Sequence, residues 1–89
     1  MKAVITVTGK DSVGIIAKVS ALCSEQNANI VDITQSVMQD YFAMIMVIDI
    51  TDLKMPFADF VDDMKELGKS VNLDIRTMHE DIFNSMHRI

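Results

Sequence analysis

The sequence predicts a single α+β domain whose elements follow in the order strand, helix, strand, strand, helix, strand. Three observations support this prediction. The chain has 89 residues, enough for one hydrophobic core and too few for two. Its hydrophobic share of 49% and charged share of 24% are typical of globular proteins. Stretches of alternating β-branched residues interchange with stretches in which apolar residues recur at helical spacing.

The first strand and the first helix are indicated by a change of period. Residues 2–8 alternate in the manner of a strand. From Gly14 to Cys23 the apolar residues recur at helical spacing, and Ser12 is in position to cap the first turn. Asn27 follows the helix, and asparagine tolerates the left-handed conformation that ends one.

The second and third strands are predicted over residues 30–38 and 41–50. Strict alternation in the second strand places three apolar residues on one face, namely Val31, Ile33 and Val37. The third strand is apolar on both faces, with Ala43, Ile45 and Val47 opposite its methionine-rich side. Such a strand is expected to be central in a sheet.

The rest of the chain predicts a helix, a strand and a short tail helix. Pro56 opens the second helix and Gly68 is expected to stop it. The fourth strand is predicted from Val71 to Thr77, although Thr77 also fits a capping box with Glu80, and the boundary stays open. Residues 1–78 are expected to form the body of the domain, and residues 79–89 its C-terminal amphipathic helical extension.

This order of elements is the ferredoxin-like βαββαβ sandwich, in which two helices cover one face of a four-stranded antiparallel sheet. The first and third strands are then central. The apolar outer face of the third strand calls for a cover, because contiguous apolar patches mark interfaces. We expect the tail helix, a partner subunit or both to supply it, and we expect a homodimer.

Charge and composition exclude several classes of function. The net charge of −5 disfavours nucleic acid and anionic membranes as partners. No apolar run could span a bilayer and no secretory leader opens the sequence, so a cytoplasmic location is expected. The single Cys23 is expected in the core, and His79 and His87 lie two helical turns apart, too far to share a metal. No cofactor is expected.

The fold itself hosts many functions, so the functional class must be inferred from particular residues, above all those of the loop before the first helix. A metallochaperone would need two cysteines there, and the sequence between Gly9 and Gly14 has none. An acylphosphatase would need an arginine, and the first arginine is Arg76. An RNA-binding domain would need aromatic residues on the first strand, which has none. Catalysis is therefore not expected.

Two segments resemble the signature of ACT domains. They are Gly9-Lys10-Asp11-Ser12-Val13-Gly14-Ile15-Ile16-Ala17-Lys18-Val19 and Asn27-Ala28-Asn29-Ile30-Val31-Asp32-Ile33. The chain is also similar to small single-ACT proteins of bacteria and archaea with no assigned function. Val13 stands where many members have proline, and Asn27 where many have glycine. Val13 is expected to remain an apolar plug.

The resemblance implies a non-catalytic regulatory module that binds an amino acid near a dimer interface. The residues it implies for the ligand site are Asp11, Ser12, Val13, Gly14 and Asn29. Helix amides at Gly14 suit a carboxylate, and Asp11 and Asn29 carry acceptors for an ammonium group. In such relatives the asparagine often comes from the neighbouring subunit.

Two other interpretations stay open at this point. Ser12 and Gly14 could serve only to start the helix, with Asp11 and Asn29 as ordinary turn residues. The domain could also be an interaction module that acts on an enzyme or a transcription factor and binds no small molecule.

Overall fold

A computed structural model describes residues 1–10 and 13–86 of the protein. Seven elements follow one another in the predicted order. They are β1 (Lys2–Gly9), α1 (Ile15–Glu25), β2 (Asn29–Met38), β3 (Tyr41–Asp49), α2 (Phe57–Ser70), β4 (Asp74–His79) and α3 (Glu80–Met86). The ferredoxin-like βαββαβ fold is confirmed, with a short third helix after it.

The four strands form one antiparallel sheet in the order β2-β3-β1-β4. The prediction that the first and third strands are central is therefore confirmed. Both helices pack on one face, and alternate residues of β1 and β3 point into the core between the layers. The fully buried side chains of that core include Ile5, Val7, Ile15, Val19, Met44, Met46, Ile48, Phe60 and Met64.

The second strand departs from the strict alternation that the sequence suggested. Its register against β3 shifts between Ile30 and Asp32, so Val31 is an extra residue in a β-bulge. Ile30 pairs with Ile48 and Ile33 pairs with Met46, which places both on the side of the helices. The predicted strict alternation therefore fails at Val31, which has no partner on β3, and holds from Asp32 onward.

Gly68 does not end α2, as the sequence suggested, but lies inside it. The helix runs on to Ser70, and the turn to β4 is made by Asn72, with φ of 61°. Leu73 donates its amide to the carbonyl of Gly68 at 2.8 Å, so this turn folds back tightly on the helix. The fourth strand consequently begins at Asp74 and not at Val71.

The boundary that the sequence left open lies between residues 79 and 80: β4 extends through His79 and the tail helix begins at Glu80. Thr77 belongs to β4, so it does not form the capping box with Glu80. Its buried hydroxyl has no hydrogen-bond partner among the described residues. The helix that follows contacts β1 and β4, and Val4 is buried there on the sheet face opposite the core.

The tail helix covers only one end of the open sheet face. Ile45, in the middle of that face, remains 38% exposed, and Ile82 and Met86 on α3 itself are exposed. His87 and Ile89, both within the predicted tail helix, lie outside the described residues. Part of the expected cover is therefore supplied by the chain, and an apolar strip remains on the surface.

We expect Gly68→Ala to destabilise the protein. A Cβ atom at position 68 would lie 2.7 Å from the carbonyl oxygen of Leu73 and 3.0 Å from Cγ1 of Ile75. Because backbone atoms of the turn cannot yield cheaply, the free energy of unfolding should fall by about 1–3 kcal/mol in urea titrations. The control Asp63→Ala, on the exposed side of the same helix, should change it by less than about 0.5 kcal/mol. Equal stability of the two variants would contradict the close approach.

Candidate functional site

Gly14 lies at the N-terminal end of α1, as the sequence predicted. It occupies the N-cap position with φ of 74°, a left-handed conformation that favours glycine. The residue is exposed, and apart from its two chain neighbours no described residue has an atom within 4 Å of the position that a Cβ would occupy. Among residues 1–10 and 13–86, no side chain caps the first amides of the helix. Asp11 and Ser12, including the predicted cap, lie outside the described residues.

The surroundings of Gly14 are accessible and include a cation. Val13 is 88% exposed, so the prediction that it acts as an apolar plug is wrong. Lys10, just after β1, lies with its Nζ 5.9 Å from the centre of the Tyr41 ring. The N-terminal end of the helix dipole and the Lys10 ammonium both favour an anion at this end of the molecule. Sequence reasoning missed Lys10, because a lone exposed lysine after a strand carries no signal.

Asn29 lies at the opposite end of the sheet from Gly14. It opens β2 and is level with Asp49 and Lys2, whereas Gly9, which leads into the Gly14 loop, is level with Phe42. Seven residues of β3 separate these two levels, which corresponds to about 23 Å along a strand. One copy of the chain therefore does not bring the two predicted halves of the site together.

Asn29 borders a surface groove of about 520 Å³ at the C-terminal end of α1. Most of its lining side chains carry oxygen atoms. The lining residues are Ser20, Ser24, Asn27, Ala28, Asn29, Ile30 and Asp52. Asn27 has φ of 60°, which confirms its predicted left-handed conformation at the helix end. The serines and Asp52 were not predicted, because only the fold brings residues 20, 24 and 52 to one place.

The loop that carries Asp52 is fastened by hydrogen bonds. The Thr51 hydroxyl donates to Oδ1 of Asp49 at 2.6 Å and the Thr51 amide donates to the same atom at 2.9 Å. These bonds hold the pKa of Asp49 below its usual value. The N-terminal ammonium of Met1 donates to Oγ1 of Thr51 at 3.0 Å, and the amide of Lys54 donates to the carbonyl of Gln26 at 3.0 Å. The loop is thus joined both to β3 and to the end of α1.

The helix layer is incomplete over β2, the edge strand beside the groove. Ile33 and Val37 lie on the side of the helices, yet they are 37% and 69% exposed. Ile16, on α1, is exposed as well. Two helices do not cover the full width of four strands, and the uncovered strip follows the β2 edge. An exposed apolar strip beside an unpaired strand edge marks an interface.

The other reactive groups do not form a centre of their own. Cys23 is buried on α1, as predicted, and burial raises the pKa of its thiol to about 11. Over residues 1–10 and 13–86, the His, Cys, Asp and Glu side chains form no group of three that could hold a metal. Across the same residues, none of the helices has the length and apolar character needed to cross a membrane.

The ACT domain family matches the chain over residues 2–78. The chain belongs to this family. ACT domains are regulatory, ligand-binding modules.

Two relatives, one bacterial and one archaeal, are similar to this ACT domain protein over almost its whole length. A UPF0237 protein of Clostridium perfringens is 51% identical over 89 residues, which cover 100% of both chains. A UPF0237 protein of Methanocaldococcus jannaschii is 42% identical over 88 residues, covering 99% of this chain and 98% of the relative.

A solved structure has the same fold. The ACT domain protein from Streptococcus pneumoniae superimposes with a TM-score of 0.81 and 40% identity, covering 93% of each chain. Sequence and structure therefore agree on the fold and the family of this chain.

We expect the thiol of the folded ACT domain to resist modification. A pKa raised from 9.0 to about 11 lowers the thiolate fraction near pH 8 by about a hundredfold, so Ellman's reagent should react far more slowly with native protein than with urea-unfolded protein. Because the unfolded thiol ionises first, stability should fall as the pH rises from about 9 to about 11. Cys23→Ala should lack that part of the pH dependence, and rapid reaction of native Cys23 would contradict its burial.

Proposed function

We propose that this ACT domain pairs with a second copy along the β2 edge and binds an amino acid between the two copies. The observation that carries the proposal is the uncovered helix-side strip of β2, with Ile33 and Val37 exposed beside an unpaired strand edge. A second copy placed there would extend the sheet and bring another α1 against the strip. The strip would then be buried as part of one continuous core.

Two-fold symmetry would also reunite the separated halves of the site. A two-fold axis through the middle of β2 pairs the strand with its copy in antiparallel fashion. Asn29 at the start of one strand then lies opposite the end of the other, near residue 38. That end is level with Gly9 and hence with the Gly14 loop. Each site would combine Gly14 of one copy with Asn29 of the other, so the dimer would hold two equivalent sites.

The two halves have complementary chemistry for an amino acid. The amides at the start of α1, which no described side chain caps, suit the carboxylate, and Lys10 lies at the same end of the sheet. The side-chain oxygen of Asn29 suits the ammonium group, and the resemblance adds Asp11 and Ser12 of the loop as further contacts. Gly14 leaves the helix end open to the ligand, because it has no side chain and, beyond its chain neighbours, no described atom lies within 4 Å of its missing Cβ.

Binding across two copies would make the domain a regulatory module. A ligand that contacts both chains stabilises their pairing and any surface that depends on it, by an amount set by its differential affinity. A second candidate function is that of a protein interaction module without a small-molecule ligand. The exposed strip formed by Ile45, Ile82 and Met86 on the open sheet face favours it, since an enzyme or a transcription factor could dock there.

If β2 forms the dimer interface, lysine substitutions at two isoleucines of nearly equal exposure should have different effects on dimerisation. Ile33→Lys places a charge in the proposed interface and should convert the dimer to a monomer in analytical ultracentrifugation. Ile45→Lys is the matched control: this residue is 38% exposed against 37% for Ile33, but it lies on the other sheet face. Dissociation by Ile45→Lys with a stable Ile33→Lys dimer would move the interface to the open face.

Thermal unfolding against the twenty amino acids tests the ligand. An amino acid that binds only the native state at 100 times its dissociation constant stabilises the protein by about 2.7 kcal/mol, a shift of several degrees in Tm for a domain of this size. Gly14→Asn keeps a residue that tolerates the left-handed conformation but fills the open helix end, so it should abolish the shift. Asn29→Ala should weaken it.

Three outcomes would count against the amino-acid site. A flat response to all twenty amino acids would exclude it. An unchanged shift in Gly14→Asn would move the carboxylate contact elsewhere. A full ligand response from the Ile33→Lys monomer would show that one copy suffices, contrary to the separation of Gly14 and Asn29.

A further inference from the structure

We propose that the groove at the C-terminal end of α1 binds a primary ammonium group, with Asp52 as its counter-charge. The inference rests on the proposed function, because Asn29 is common to both, and it adds a residue and a ligand class to it. In the proposed amino-acid site, Asn29 contacts the ammonium group because its side-chain oxygen can accept a hydrogen bond. The groove adds a formal negative charge beside that asparagine, and it makes amines the class of ligand recognised there.

The lining of the groove consists mainly of hydrogen-bond acceptors. Ser20 and Ser24, one helical turn apart on α1, present hydroxyl oxygens, and Asn27 and Asn29 present amide oxygens. An ammonium group has three donors and no acceptor, so it needs several oxygens around it. Serine hydroxyls and asparagine amides can also donate, so the preference for a cation comes from Asp52, which would repel a carboxylate.

The charges around the groove favour a cation. Asp52 is the one charged residue among those that line it, and no Lys or Arg lines it. Asp52 forms no ion pair with any residue in the ranges 1–10 and 13–86. The last turn of α1 contains no basic residue, and the negative end of its dipole points toward the groove. A bound ammonium would therefore meet a carboxylate that no described side chain already neutralises.

The backbone on both sides of the groove is held by hydrogen bonds. The amide of Leu53 donates to the carbonyl of Ile50 at 3.2 Å, which closes the turn that carries Asp52. The amide of Lys54 bonds Gln26 at 3.0 Å, and the amide of Ala28 bonds Cys23 at 2.8 Å, so both walls belong to one hydrogen-bonded unit. A backbone that is already fixed lowers the ordering cost of binding a cation, because only the lining side chains remain to be oriented.

A metal ion fits this lining less well than an organic ammonium does. Groups of three His, Cys, Asp or Glu residues are absent from the described part of the chain, and Asp52 is the only such side chain in the lining. Divalent cations in proteins usually take several carboxylate ligands. The volume of about 520 Å³ also leaves room for the carbon chain of an amine beside its charged end.

Three four-carbon probes separate the charge of the ligand from its apolar chain. They are n-butylammonium chloride, sodium butyrate and n-butanol, titrated into the ¹⁵N-labelled full chain at pH 7 and constant ionic strength. n-Butylammonium should shift the amide signals of Ser24, Asn29 and Asp52 in a saturable manner, whereas the anion and the alcohol should not. An equal response to all three, or no response at these amides, would overturn the proposal.

Matched variants then test Asp52. Asp52→Asn keeps the shape of the side chain and removes its charge, and it should weaken n-butylammonium binding about tenfold or more. The control Asp62→Asn removes one charge from the exposed side of α2 and should leave the affinity within about twofold, since charges beyond a Debye length are screened. Equal affinities of Asp52→Asn and the parent chain would overturn the role of Asp52.

The same titrations distinguish this inference from the proposed function. Gly14→Asn should still bind n-butylammonium, because the groove lies at the far end of α1 from residue 14. If butylammonium binds and no amino acid raises Tm, the amine groove stands and the shared amino-acid site fails. If an amino acid binds through Gly14 and Asp52→Asn has no effect on it or on butylammonium, the inference fails alone.

Discussion

The packing of two helices on the central strand pair β1 and β3 is the interaction on which the rest of the structure depends. Alternate residues of both strands, such as Ile5 and Met46, are fully buried under α1 and α2. Apolar burial on this scale is the main favourable term in folding. Because two helices suffice for this core, they leave the outer strand β2 only partly covered, and the exposed strip on β2 is a direct result of how the core is filled.

The same arrangement explains why the candidate site is divided. A helix that crosses back over the sheet starts at one end of the strands and finishes at the other, so Gly14 and Asn29 lie at opposite ends. The anion-favouring end contains helix amides and Lys10, and the cation-favouring end contains the groove with Asp52. In the proposed arrangement each copy of the chain therefore carries two unlike half-sites, which a partner related by two-fold symmetry would bring together.

Local patterns in the sequence were enough to predict most of the fold. Alternation predicted the strands, and helical spacing of apolar residues predicted both main helices, because each period reflects one buried face. The errors fell where distant residues decide the local structure. Gly68 resembles a helix stop, but the close return of Leu73 makes it a packing position within α2. The bulge at Val31 depends on pairing with β3 and leaves no mark in the composition of β2.

The candidate site was predictable only in part, for a related reason. A glycine at the start of a helix and an asparagine at the start of a strand are local signals, and both residues are at the positions expected. Ser20, Ser24 and Asp52 come together only through the crossover of α1 and the loop after β3. No spacing rule connects the end of a helix with a loop that follows two further strands.

The bulge in β2 also bears on aggregation. An exposed edge strand is a template for any extended chain that offers its backbone groups, and a bulge is one of the features that make such an edge a poor template for a flat strand. The shift lies in the first third of β2, between Ile30 and Asp32, whereas the pairing with β3 is regular from there to the end of the strand. Indiscriminate strand addition along the full edge is thereby hindered, and the regular part of the edge remains available for selective pairing.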